Sequence, residues 1–300
     1  MTTATNLIEI SPGAYYLPGA VNVGVVATPD GGAVLVDTGQ DKDHAKRIVK
    51  ACRAASLEPR AIVNTHSHAD HFGGNDYLVR NLGLPVYAPP FEEAILRYPY
   101  LEPFYLFSGA RPIPPLQTKW LMAKPSPVDH VIRGETLEVE GLTFRVLPLP
   151  GHAQEQIGLA WGQVCYCADG LFGEEILAKY GVPFATDVAR QIESIQRLRA
   201  TDCAYYLPAH GGLVTGVEPL AEANLRHIQR ATEAVLAAVH LPAETTEVVA
   251  RVCQALGLSL GGIPQYYLFK SVVKAYLSYL VEQGRVEPRL EGNRLLWRAL

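Results

Sequence analysis

Short apolar runs broken by glycine and proline fill the first third of the chain, and longer runs at helical spacing fill the last. The stretches "GAYYLPG", "VNVGVVATPD", "GAVLVDTG" and "RAIVNTH" predict strands, and "PDGG" predicts a hairpin between the second and third. Between the third and fourth, "DKDHAKRIVKACRAASL" places Ala45, Ile48, Val49, Cys52 and Ala55 at helical spacing, the pattern of an amphipathic helix laid over a sheet. A helix from "GGNDYLVRNLG" and a strand at "LPVYAPP" continue the alternation. Strands resume at "LTFRVLPLPGH", "IGLAWG" and "VCYCADG", followed by a helix at "DVARQIESIQRLRAT" and a short strand in "CAYYLPAHGG". Strand and helix in turn predict an α/β fold over residues 1–216.

Two segments depart from this rhythm. Residues 89–130 are proline-rich, with ten prolines from Pro85 to Pro127, and carry Phe91, Tyr98, Tyr100, Phe104, Tyr105, Phe107 and Trp120. So long a loop inside a compact domain is usually functional, and its aromatic content argues against a floppy linker. It is expected to be a lid or, equally, a dimer interface. Residues 217–300 read as three helices and a final hairpin, "RVEPRLEGNRLLWRAL", which suggests a small winged-helix-like module.

With 48% hydrophobic and 19% charged residues, the 300-residue chain can bury a full core. Its 26 basic and 30 acidic residues give no electrostatic signature of a nucleic-acid or membrane binder. Apolar stretches are interrupted by charge well short of ~20 residues, so no transmembrane helix is expected. The start, "MTTATNLIEISPGAYYLPGA", lacks the basic residues and continuous apolar run of a leader. Five cysteines without a C-x-x-C pair point to reduced thiols in a cytoplasm. Cys165 and Cys167 would share one face of a strand and pack in the core.

The chemistry concentrates in "IVNTHSHADHFGGN", where His66, His68, Asp70 and His71 fall within six positions. Imidazole and carboxylate hold zinc and similar divalent ions, and an unpaired one in a core costs free energy. His152 in "LPLPGHAQ", Asp169 in "YCADG" and His210 in "LPAHGG" also follow strands. These positions are expected to converge at one edge of the sheets, where ligands bind in α/β architectures. His44, His130, His227 and His240, taken singly, read as surface or hydrogen-bonded histidines.

The set "THSHADH", "GH" at 151–152, "AD" at 168–169 and "AH" at 209–210, with "LVDTG" at 35–39, resembles the metallo-β-lactamase superfamily in its glyoxalase II-like arrangement. The resemblance covers residues 7–216 and implies an αββα sandwich with two divalent ions in its cleft, zinc first, manganese or iron as alternatives. By motif position, His66, His68 and His152 would hold one ion and Asp70, His71 and His210 the other. Asp169 would bridge them, and Asp37 would steady the cluster. Such ions lie ~3.5–4 Å apart, share a water and lower its pKa toward ~7, which implies hydrolysis by a bridging hydroxide. Asp70 and Asp169 are the candidate catalytic carboxylates.

Departures from the family pattern narrow the substrate. Asp169 stands near the position where the commonest class B β-lactamases use cysteine, and the C-terminal part does not resemble the glutathione-binding helices of glyoxalase II. The expected substrate is a small ester, thioester or lactone. Its walls would come from the insert and from "LFGEEILAKYGVPFATD", with Phe104, Tyr105, Phe107, Trp120, Phe172, Tyr180 and Phe184 as candidate pocket residues. The alternatives are a phosphodiesterase or single-strand ribonuclease and, third, a mononuclear-iron persulfide dioxygenase. The nine basic and eight acidic residues of 217–300 give the nucleic-acid reading little support.

Overall fold

The computed structural model describes residues 6–300. Seven strands form the first sheet in chain order: β1 (Ile8–Ser11), β2 (Ala14–Leu17), β3 (Val23–Ala27), β4 (Gly32–Val36), β5 (Glu58–Val63), β6 (Val86–Ala88) and β7 (His130–Val131). The strands β1 to β4 pair antiparallel, and β4 to β7 parallel. The second sheet contains β8 (Thr136–Val139), β9 (Leu142–Pro148), β10 (Ile157–Trp161), β11 (Val164–Ala168), β12 (Tyr205–Pro208) and β13 (Val214–Thr215), again as neighbours in chain order. Only β11 and β12 pair parallel within it.

Alternation along these strands makes the layers. Val25 and Leu35 face helices α1 (Lys42–Ala54) and α3 (Asn75–Leu82), where Ala45, Ile48, Cys52 and Leu78 complete a core. Their neighbours Val26, Val34 and Val36 face the other way and meet Phe144, Val146, Leu159 and Tyr166 of the second sheet. The far side of that sheet, with Cys165 and Cys167, is covered by Ile195 and Leu198 of α7 (Val188–Arg199) and by Leu220 and Ala221 of α8 (Glu218–Ala238). Helix, sheet, sheet, helix is the αββα sandwich that the motifs imply. The two thiols share one buried face as expected, with Sγ atoms 3.8 Å apart.

The insert is not an irregular loop. It contains α4 (Glu92–Arg97), α5 (Leu101–Leu106) and a 3-10 turn at Pro114–Leu116. Its prolines fall where proline is tolerated: Pro99 precedes α5, Pro103 lies in its first turn, and Pro114 opens the 3-10 turn. Sequence periodicity misses such helices because six residues complete fewer than two turns. The two-residue strands β7 and β13 are also too short to be seen as patterns.

After α8 come α9 (Thr245–Leu256), α10 (Ile263–Glu282) and the hairpin β14 (Val286–Glu291)–β15 (Arg294–Ala299). Their core includes Val235, Val248, Val272, Tyr276 and Leu277, and it takes in Val182 and Val188 from before residue 216. The remaining helices are the single turn α2 (Ala69–Phe72) and α6 (Glu174–Tyr180). No helix among the described residues is long and apolar enough to cross a membrane.

Candidate metal centre

The parallel pair β4–β5 delivers Asp37 and the His66–His71 motif at the same end of the first sheet. In the second sheet β9 and β11 are both antiparallel to β10, so they run the same way, and β12 runs parallel to β11. The residues after these three strands, His152, Asp169 and His210, therefore emerge at one edge, as the sequence leads one to expect. Tight loops allow this convergence. A Cβ on Gly211, which has φ +144°, would stand 2.7 Å from the Gly173 Cα, so the loop behind His210 lies directly on the loop behind Asp169.

All seven expected donors meet. Three groups, His66–His68–His152, His66–His71–Asp169 and Asp70–His71–His210, each bring their ligand atoms within 4.8 Å of one another. The His68 Nδ1 lies 3.1 Å from His66 Nε2 and 2.8 Å from His152 Nε2. The Asp169 carboxylate lies 3.2 Å from His152 Nε2, 3.5 Å from His71 Nε2 and 3.6 Å from His210 Nε2. A further contact joins Asp70 Oδ2 to His210 Nε2 at 3.3 Å.

The outward ring nitrogens are fixed by partners. The Nδ1 atoms of His152 and His210 lie 2.8 Å from the Phe184 carbonyl and 2.9 Å from the Ala20 carbonyl, so they carry protons and donate. His71 Nδ1 lies 2.8 Å from Asp37 Oδ2. The Thr65 hydroxyl donates to the same oxygen at 2.8 Å, which leaves it to accept from His66 Nδ1 at 3.1 Å. Asp37, held at φ 64° and bonded through its other oxygen to the Thr65 amide, thus orients two imidazoles. Four Nε2 lone pairs are left facing the centre.

This donor set fits divalent metal ions. His71 Nε2 and Asp169 Oδ1 face each other at 3.5 Å, and among the described residues neither has a hydrogen-bond partner, a costly state for buried groups unless a cation lies between them. Burial also pushes His66, His152 and His68 down, the last to about 3, so these three stay neutral and ligand-ready. At His71 and His210 burial acts in the same direction but is outweighed by the carboxylates, Asp169 foremost, and both are raised. Asp169 shows the converse balance: burial opposes its ionisation, yet His210, His71 and His152 hold it well below the usual range. The carboxylates thus favour positive charge at this centre, which is what a divalent cation would bring.

The aromatic candidates divide. The Phe172 ring lies 5.5 Å from His152 and stacks on His210 at 6.2 Å; Phe184 lies 5.4 Å from His68 and 5.7 Å from His152. The Tyr105 hydroxyl donates to the buried Glu102 carboxyl, whereas Phe107 packs on Tyr267 of α10 at 5.4 Å and Phe104 stacks on Tyr100. Trp120 and Tyr180, 64% and 46% exposed, lie beneath Lys119 and Lys179 at the surface. Among the other histidines, His130 stacks on Tyr87 and His227 donates to the Ala223 carbonyl. His44 is buried with an unpartnered Nε2, unlike the surface or bonded histidine expected.

Two buried glutamates of the insert carried no sequence signal. Glu92 accepts hydrogen bonds from the Ser67 amide and hydroxyl and from the Glu155 amide. Glu102 is raised to about 8, by burial first and then by the Glu92 and Asp70 carboxylates, with the Tyr105 hydroxyl opposing. Only tertiary structure distinguishes them from the many exposed glutamates.

Two facing sheets between helices, with an edge of imidazoles and carboxylates, define the class of metal-centred αββα enzymes. The chain belongs to the metallo-β-lactamase superfamily, whose family model matches residues 16–210. It is 29% identical over 238 residues to a hydroxyacylglutathione hydrolase of Xylella fastidiosa (strain M12), covering 79% of this chain and 70% of that one. It is also 22% identical over 300 residues to the atrochrysone carboxyl ACP thioesterase of Passalora fulva, covering 96% and 78%. The crystal structure of a metallo-β-lactamase family protein from Thermus thermophilus shares the fold at a TM-score of 0.76 and 23% identity, over 97% of this chain and all of that one. The chain is thus a hydrolase of this superfamily.

Proposed function

We propose that the chain is a dinuclear metal-dependent hydrolase of carboxylic esters in the broad sense, with thioesters ahead of oxygen esters and lactones. His66, His68 and His152 would hold one ion, Asp70, His71 and His210 the second, and Asp169 would bridge them. Zinc is the first choice for five imidazoles with two carboxylates, manganese and iron the alternatives. The observation that carries this reading is the convergence of Nε2 lone pairs whose Nδ1 sides are already bonded, around the unpartnered His71 Nε2 and Asp169 Oδ1.

Two bound divalent ions supply an activated water and polarise a carbonyl oxygen. The chain's own residues orient and enclose. Asp37 and the carbonyls of Ala20 and Phe184 fix the imidazole planes. Phe172 and Phe184 place apolar surface beside the donors and exclude water there, as an acyl group requires. Asp70, whose side chain is 30% exposed, is the candidate proton carrier to solvent through its Oδ atoms.

The cations of the insert do not favour a phosphodiester. Three of the four are paired with carboxylates, Lys119 with Asp41 at 3.4 Å, Lys124 with Asp76 at 3.2 Å and Arg97 with Glu93, while Arg111 is exposed. A phosphate pocket needs cations aimed at the anion. The two relatives above point the same way, one a hydroxyacylglutathione hydrolase and the other a carboxyl ACP thioesterase. The test is a parallel assay of the zinc- and manganese-loaded protein on acyl thioesters, aryl esters, lactones, bis-aryl phosphodiesters and single-stranded RNA. Thioester turnover leading the carbonyl substrates is expected. Turnover of phosphodiesters or RNA with no carbonyl substrate accepted overturns the proposal.

A further inference from the structure

The root of the insert reaches back to the metal motif. Glu92, the first residue of α4, is 1% exposed. Its Oε2 accepts from the Ser67 amide at 3.0 Å and from the Ser67 hydroxyl, and its Oε1 accepts from the Glu155 amide at 3.0 Å. Ser67 stands between His66 and His68, and Glu155 follows His152 by three residues. One carboxylate therefore ties together the two loops that carry His66, His68 and His152. The chain turns sharply to place it: Phe91 has φ 63°, left-handed for a bulky residue, and leaves its ring largely in solvent while Glu92 points inward.

We infer that Glu92 is a positioning residue for the His66–His68–His152 donor set, so that the insert braces one of the two ion sites. This deepens the function proposed above and rests on its two-ion reading. The other set has separate supports. His71 is held by Asp37 and His210 by the Ala20 carbonyl, neither of which touches Glu92. Loss of Glu92 frees the Ser67 and Glu155 amides and lets the two loops separate, so the gap between His68 Nδ1 and His152 Nε2, 2.8 Å here, is no longer fixed. Partners that orient ligands in this way typically change metal affinity about 10- to 100-fold. The loss should be confined to one ion.

The experiment uses the full chain with Glu92→Ala, Glu92→Gln and Ser67→Ala. Each is stripped with a chelator, checked by circular dichroism, and titrated with Zn2+ by calorimetry and with Co2+ by visible absorption. The wild type is expected to bind two ions. Glu92→Ala should keep one at near wild-type affinity and bind the other about 10- to 100-fold more weakly. Glu92→Gln, which keeps the volume and one acceptor, should fall between, and Ser67→Ala, which removes one of three hydrogen bonds, should lose least. A general loss of stability would not spare one ion in this way. If Glu92→Ala precipitates, Glu92→Gln carries the test. Two undiminished ions in the folded variants, or equal weakening of both, overturn the inference alone. A wild-type chain that takes up only one ion overturns the two-ion reading and the inference with it.

Discussion

Asp37 shows how much one side chain does at this site. Its carboxylate accepts from the Thr65 amide, the Thr65 hydroxyl and His71 Nδ1, so the planes of His66 and His71 both depend on it. Asp37→Asn turns one acceptor into a donor facing a donor. Metal affinity is expected to fall roughly 10- to 100-fold with the far-ultraviolet spectrum intact, and undiminished affinity by calorimetry would show that Asp37 does not orient the ligands. Asp169→Ala should abolish turnover and leave the fold, since the sheets carry the buried apolar area; near wild-type activity on any accepted substrate would remove Asp169 from its bridging role. Glu102 gives a pH dependence. Its carboxyl titrates near 8 in the folded chain against the ordinary 4.5, so the folded state keeps a proton that the unfolded state has released. The associated stability is complete below about 4.5 and lost as pH rises through about 8, on the order of 5 kcal/mol at most. Glu102→Gln should therefore gain thermal stability over wild type increasingly from about pH 5 to about pH 8 and level off above that; parallel Tm curves in scanning calorimetry would count against this. The seven donors were legible in the sequence because metal chemistry admits few residue types and the motif spaces them at strand ends, and Asp37 was legible only through the likeness of "LVDTG" to the superfamily's strand. Glu92 and Glu102 were not, because a glutamate reveals its burial only when the chain path around it is known.

At the scale of elements, the insert is a wall built on α10. Leu106, Leu116 and Leu121 are buried, with the partly buried Phe107, Ile113, Tyr267 and Leu268 packed against them, and Glu92 anchors the other end of the segment to the loops of the donor motif. A segment held at both ends suits a fixed wall better than a swinging lid. Leu116→Ala would leave a cavity in this small cluster and is expected to cost about 2–5 kcal/mol by urea unfolding. We propose that this wall borders the substrate rather than the reacting atoms, in which case KM should rise more than kcat falls. An unchanged KM with a large loss of kcat would argue instead that the insert holds the metal centre alone. The long helices were readable from periodicity: α1 buries Ala45, Ile48, Val49 and Cys52 as their spacing predicts, while Ala55 caps the helix and is exposed. The insert helices were opaque for the reverse reason, since six-residue helices interrupted by proline show no period. Aromatic content predicted a wall but not its direction, so Phe172 and Phe184 border the donors while Trp120 and Tyr180 lie at the surface.

For the whole molecule the open question is what residues 217–300 do. The sequence suggests a separate module, and its three helices and hairpin are there, but their core continues across residue 216 through Val182 and Val188, with Phe184 and Ile192 packed against it. Phe184 also supplies the carbonyl that fixes His152. The C-terminal helices thereby support a segment that reaches the metal centre, and we propose that their role is packing rather than nucleic-acid capture. Their nearly balanced charge agrees, because affinity for a phosphate backbone comes from concentrated cations. The full chain is expected to unfold in one cooperative transition in scanning calorimetry. A chain ended at residue 216 would expose Val182, Val188 and the outer face of α7, and should aggregate or lose its metal affinity. A truncated chain that stays monomeric, binds metal as tightly as the full chain and turns over the same substrate would show that the module is dispensable. Fluorescence anisotropy with single-stranded RNA separates the remaining reading: tight binding by the full chain that weakens steeply with salt and vanishes on truncation would restore the ribonuclease alternative.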